Sequence, residues 1–83
     1  MDCKQIAAIL SKLNAEGSQP GVPDSLLALL TALKLTQCDK YTVMWGEKAR
    51  MVDQCLQIIN DLRRNEIEPH PLAVELLSHF KGI

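Results

Sequence analysis

The sequence has few aromatic residues, almost no net charge and no long apolar run. Tyr41, Trp45 and Phe80 are its whole aromatic content, 4% of 83 residues. A hydrophobic core must therefore consist mainly of leucine and isoleucine, which suits packed helices. The formal net charge of −1 gives no long-range field to attract nucleic acid or anionic lipid. No segment has the roughly 18–20 apolar residues that span a bilayer, so no membrane span is predicted.

Cysteine is also scarce, and its count is odd. Cys3, Cys38 and Cys55 include no Cys-x-x-Cys pair, and any disulfide would leave one of them over. This pattern favours three reduced thiols in a reducing cytosol. The first residues lack a positive stretch followed by an apolar one, so no secretory signal is predicted. We therefore expect a cytoplasmic location.

The sequence does contain four helical patterns, separated by residues that end helices. Asp2 and Gln5 form a capping-box pair before the first pattern. Asp24 follows a linker rich in proline and glycine and is a predicted N-cap, and Pro71 suits a first helical position. The prediction is an all-α fold: a small four-helix bundle that forms a single domain over residues 1–83. The predicted helices cover residues 3–15, 24–36, 40–64 and 71–81.

The third helix is predicted to be long and unbroken. Its apolar residues, from Tyr41 to Leu62, form one stripe about 160° wide, and Gly46 lies on the opposite, polar face. A glycine in a helix costs about 1 kcal/mol relative to alanine, which one long apolar stripe can offset. A break at Trp45–Gly46 is the alternative.

The second helix is apolar around most of its circumference, since only Thr31 and Lys34 interrupt the apolar residues after Ser25. Such a ring indicates burial on several sides, so we expect this helix to be the central partner of the third helix. Its far side either docks the first or fourth helix or remains an exposed apolar strip that binds a partner. This far side consists of Ala28, Ala32 and Leu35.

No motif for binding phosphate, dinucleotide or metal is present. His70 lies between two prolines in a predicted turn, where we expect it to be solvated, and His79 is predicted at a helix edge. Neither histidine has another ligand at metal-binding spacing. An enzyme would need a cleft that joins Cys38 or Cys55 to a histidine. We expect no catalytic, cofactor-binding or metal-binding residue and no small-molecule substrate.

Two parts of the chain resemble known helical families. Residues 60–65, Asn-Asp-Leu-Arg-Arg-Asn, and residues 72–81, Leu-Ala-Val-Glu-Leu-Leu-Ser-His-Phe-Lys, resemble the last two helices of the amino-terminal bundle of transcription elongation factors. That bundle docks disordered partner motifs, although its Ile-Gly step before Leu-Arg-Arg is absent here. Residues 39–59 resemble the second helix of small co-chaperones that guard needle subunits of bacterial type III secretion. Both resemblances imply a protein that binds segments of other proteins.

The leading hypothesis is a non-catalytic protein–protein interaction module: an adaptor, chaperone or regulatory subunit. It would bind a protein partner or form a homo-oligomer through apolar helix surfaces. The alternative is a small nucleic-acid-binding or transcription-associated regulator, with the second and third helices as a helix-turn-helix. Acidic and basic residues alternate along the third helix, which is typical of a solvated face, so nucleic acid is not favoured. The predicted partner-binding residues are Leu29, Leu35, Tyr41 and Trp45.

Overall fold

Four α-helices make up the fold in a computed structural model, which describes residues 2–16, 20–38 and 45–81. No β-strand occurs within those ranges, and α3 is the longest helix, with 20 residues. The predicted all-α four-helix bundle with a long third helix is therefore confirmed. The helices are α1 (Cys3–Ala15), α2 (Asp24–Cys38), α3 (Trp45–Arg64) and α4 (Pro71–Lys81).

The bounds of α1 and α4 agree with the prediction because each helix begins at a clear capping signal. Asp2 accepts a hydrogen bond from the Gln5 backbone N–H at 2.9 Å, and the Gln5 side chain accepts one from the Asp2 N–H at 2.9 Å. This is the predicted capping box. Pro71 is the first residue of α4, where its missing N–H leaves no hydrogen bond unmade.

The start of α2 agrees with the predicted bound, whereas its N-cap residue and its end differ from the prediction. Leu27 N–H donates to the Pro23 carbonyl at 3.1 Å, so Pro23 holds the cap position and Asp24 is the first helical residue. At the other end α2 continues through Cys38, so the predicted end at residue 36 is wrong. No glycine or proline occurs between residues 36 and 38 to end the helix.

Gly46 is the second residue of α3, so the helix includes this glycine. Continuity of the helix before Trp45 stays a prediction. A Cβ atom at Gly46 would have open space around it, as expected for the polar side of a helix. The segment 40–44, predicted as the first turns of this helix, lies outside the described residues.

The helix α2 is the centre of the bundle. It contacts α1, α3 and α4, whereas α1 and α3 do not contact each other in the described residues. The helix with the apolar ring is therefore covered from three directions, because three neighbours pack on it. The buried apolar residues of the four helices are Ile6, Leu10, Leu13, Leu26, Leu30, Leu33, Val52, Cys55, Ile59, Leu62, Ala73, Leu76, Leu77 and Phe80.

The cysteines differ from the expectation of three reduced thiols. Cys3 is disulfide-bonded, so the expectation is wrong for this residue. Cys3 begins α1, and its Sγ lies 4.0 Å from the Gln37 carbonyl oxygen near the end of α2. Cys55 is free and buried in the core, as expected.

None of the helices in the described part of the chain is both long enough and apolar enough to cross a membrane.

Candidate partner-binding surface

One side of α2 is not covered by any other helix within residues 2–16, 20–38 and 45–81. Leu26, Leu30 and Leu33 are fully buried on the inner side, at 0% exposure. On the outer side Ala28, Thr31 and Leu35 are exposed, and we call these three residues the α2 face. Ala32, which the sequence placed on the same strip, is half-buried. The far side of the ring thus remains an apolar strip open to solvent along part of its width.

Leu35 is the most distinctive residue of the α2 face. It is 42% exposed, and no other large hydrophobic residue in the described part of the chain is classed as exposed. Ala28 lies two helical turns before Leu35 on the same side. Between them, Thr31 donates its hydroxyl hydrogen to the Leu27 carbonyl at 2.8 Å. Because the Thr31 hydroxyl hydrogen is already bonded within the helix, an apolar partner that covers this face would not leave that donor unpaired.

A groove of about 280 Å³ runs along one edge of the α2 face, between α1 and α2. The α2 wall contains Leu27, Thr31 and Lys34. The α1 wall contains the small side chains of Ala7 and Ser11, together with Leu10 and Asn14. Small side chains in the wall of a groove allow the backbone of a docked helix to come close. The α1 wall is not predictable from the sequence alone, because the apolar pattern of α1 does not establish which side of this helix packs beside α2.

The four predicted partner-binding residues do not form one described surface. Leu35 is exposed, whereas Leu29 is half-buried and packs against the core. Six positions along a helix separate these two side chains by about 120°, so they do not share one face. Tyr41 lies outside the described residues. Trp45 begins α3, but its side chain also lies outside the described part.

His70 is not the solvated turn residue that the sequence predicted. It occupies the N-cap of α4, where its Nδ1 accepts a hydrogen bond from the Leu72 N–H at 3.1 Å. Its Nε2 lies 2.6 Å from a carboxylate oxygen of Glu16, just after α1. The two prolines that flank His70 suggested an open loop, but this loop packs against the end of α1. Both ring nitrogens are therefore engaged, so His70 has a structural position.

His79 is half-buried on α4, at the edge of the core. Its ring meets that of Phe80 edge to face, with ring centres 5.7 Å apart. The Nε2 atom is buried and has no hydrogen-bond partner in the described residues. No group of three or more potential metal ligands occurs in that part of the chain.

Cys55 lies in the core with no exposed surface. Desolvation by burial disfavours the thiolate and raises the pKa of Cys55 to about 11. The thiol is therefore protonated at neutral pH, and solvent does not reach it. Cys55 lacks both properties of a reactive cysteine nucleophile.

The outer side of α3 carries the mixture of charges that the sequence predicted. Arg50, Asp53 and Asp61 are all exposed, and the guanidinium of Arg64 lies 3.5 Å from the Asp61 carboxylate. Such an exposed pair one helical turn apart contributes little to stability. The alternation of sign leaves no continuous basic strip on this helix.

Comparisons of the chain with protein-family models, curated proteins and solved structures find no match.

Proposed function

We propose that this protein is a non-catalytic interaction module that binds a protein partner or a second copy of itself through the α2 face. The observation that carries the proposal is the exposure of Leu35 at the end of a helix whose other sides are packed. A single exposed leucine is common on protein surfaces. Here, however, Leu35 lies in line with Ala28 and close to a groove with small residues on its α1 wall.

The shape of the surface favours a helix as the docked element. Leu35 is a large apolar contact at one end of the face, and the smaller side chains of Thr31 and Ala28 leave the rest of the face low. A helix that inserts an apolar side chain beside Thr31 would bury the remaining surface of Leu35. Fully burying a leucine side chain contributes roughly 1.5–3 kcal/mol, so completing the burial of Leu35 is a useful but partial contribution to binding.

The test compares Leu35→Glu with Ala8→Glu, a matched control that places the same charge on an exposed position of α1. Sedimentation of the full chain at micromolar concentration measures self-association. Affinity capture from native cells, quantified by mass spectrometry, measures binding of other proteins. We expect Leu35→Glu to abolish the self-association or the specific capture of the wild-type chain, and Ala8→Glu to preserve it.

A compact wild-type monomer that binds no apolar dye and captures the same proteins as Leu35→Glu would contradict the proposal. Circular dichroism of both variants checks that the bundle remains folded.

A further inference from the structure

A second concave surface lies between α3 and α4, away from the α2 face, with a volume of about 170 Å³. Its apolar floor consists of Val52, Leu56 and Phe80. Phe80 and Val52 belong to the hydrophobic core, with 1% and 9% exposure. The floor is therefore fixed by the packing of the bundle and is present before any ligand arrives. We call this surface the α3–α4 cleft.

The rim of the α3–α4 cleft carries more positive than negative charge. Lys48 and Lys81 reach it from the two different helices, and Asp53 is the acidic residue among its lining residues. Lys48 also donates a hydrogen bond from Nζ to Gln37 Oε1 of α2 at 3.2 Å. Ala49 completes the lining and leaves the cleft open, because its side chain is short.

We propose that the α3–α4 cleft binds one large apolar side chain from a partner protein segment that carries acidic residues beside it. The volume argues for a single side chain, because small-molecule sites usually enclose about 300–1,000 Å³. The firm apolar floor with a partly polar rim matches the pockets in which interface anchor residues bind.

Charge complementarity identifies the flanking residues of the partner as acidic. The two lysines outnumber the single aspartate, although the whole chain has a formal charge of −1. The helix dipoles do not alter this balance. Lys48 lies in the first turn of α3, where the dipole is positive, and Lys81 ends α4, where it is negative. The lysine side chains therefore determine the sign of the rim.

The α3–α4 cleft shares no residue with the α2 face, so this inference does not depend on the proposed function. The experiment uses NMR titration of the full ¹⁵N-labelled chain with three peptides. The test peptide is Glu-Glu-Gly-Phe-Gly-Glu-Glu. One comparison peptide replaces every glutamate by lysine, and the other replaces phenylalanine by alanine. We expect the test peptide to shift the amide signals of Ala49, Val52 and Phe80 and to bind about tenfold more tightly than either comparison peptide.

Variants at the cleft locate the binding. The double variant Lys48→Glu with Lys81→Glu is expected to lower the affinity for the test peptide about tenfold. The double variant Lys4→Glu with Lys12→Glu, the same charge change at two exposed positions of α1, should leave it unchanged. Ala49→Trp, at an exposed position that lines the cleft, should abolish binding by filling the space.

Equal affinity for the acidic and basic peptides would overturn the proposal, as would the absence of shifts at millimolar peptide. Shifts confined to Ala28 and Leu35 would overturn it too, while they would support binding at the α2 face. The sedimentation and capture experiments with Leu35→Glu test the α2 face independently of the peptide titrations. Failure of one proposal is therefore distinguishable from failure of the other.

Discussion

Glu66, the second residue after α3, has a backbone conformation that residues other than glycine rarely adopt. Its φ is +62°, in the left-handed region. Around it, Ile67 N–H donates to the Leu62 carbonyl at 2.8 Å, and Glu66 N–H donates to the Arg63 carbonyl at 3.0 Å. These two bonds form a Schellman motif, in which glycine usually occupies the position of Glu66. The residue is exposed, so its side chain gains no burial to offset the strain.

Glu66→Gly is therefore expected to stabilise the protein. Relief of the left-handed strain should raise the free energy of unfolding by about 0.5–1 kcal/mol, after allowance for the greater freedom of glycine in the unfolded chain. Urea denaturation followed by circular dichroism measures the change. Glu66→Ala is the matched control, since it removes the same charge but keeps a Cβ atom. An equal gain in both variants would show that charge, and not backbone strain, is responsible.

At the scale of the helices, the linker regions hold α1 and α4 together at one end of the bundle. His70 caps α4 and contacts Glu16, and its backbone N–H donates to the Gly21 carbonyl at 3.2 Å. The approach at Gly21 is close: a Cβ atom there would lie 2.9 Å from the Glu68 carbonyl oxygen. The loop before α2, at Gly21, and the loop before α4, at Glu68 and His70, therefore pack tightly against each other. Any residue with a Cβ atom at position 21 would have to displace the Glu68 carbonyl group.

Removal of the His70 side chain should show how much the contacts at this end of the bundle contribute to the free energy of unfolding. His70→Ala loses an N-cap worth about 0.5–2 kcal/mol and a partly exposed contact with Glu16 worth at most about 1 kcal/mol. We expect a total loss of about 1–2 kcal/mol in the free energy of unfolding. His70→Asn should recover most of it, because asparagine caps helices well, and Glu16→Gln should cost only a few tenths.

Thermal and urea unfolding of these variants in the same buffer compares the contributions of the His70 N-cap and of the Glu16 contact to the free energy of unfolding. If His70→Asn is as unstable as His70→Ala, the cap is not the source of the stability.

At the scale of the whole molecule, the core brings the helices together around α2, and Cys55 lies fully buried within it. Its raised pKa links ionisation to global unfolding, because only the unfolded chain gives the thiol access to water. Below pH 9.0 the thiol is protonated in both states, so its contribution to stability is fully present. As the pH rises from 9.0 to about 11, the unfolded state ionises first and this contribution is lost.

The loss is expected to reach about 2–3 kcal/mol by the upper end of this range. Urea unfolding without reductant, repeated across the pH range for the wild type and Cys55→Ala, isolates this contribution. Lysine and tyrosine ionisation affects both proteins alike, so the difference between their free energies of unfolding should narrow with pH. Parallel curves would mean that Cys55 is not shielded from water.

Local signals account for the parts of the fold that the sequence predicted well. The capping box at Asp2 and the proline at position 71 fixed the starts of α1 and α4, because each acts within one helical turn. The predicted end of α2 at residue 36 was wrong because no helix-breaking residue follows it to end the helix there. The predicted solvation of His70 was wrong because the flanking prolines indicate a loop but not which residues that loop contacts.

The candidate site was predicted only in part. The sequence identified Leu35 as a residue of the far side of α2 without deciding whether α1 or α4 covers it. It did not predict the groove beside Ala7 and Ser11 or the α3–α4 cleft at Phe80. Each of those surfaces requires two helices at a defined distance and rotation, which no single helical pattern contains.

The sequence by itself determined that this protein is helical and which stripe of each helix is apolar, since periodicity and capping depend on neighbours along the chain. Only the tertiary structure decided that α2 is covered on three sides and open at Leu35. It also decided that Cys3 is in a disulfide bond and that His70 joins the ends of two helices. These outcomes depend on which residues distant in sequence become neighbours, and that is settled by how the four apolar surfaces pack against one another.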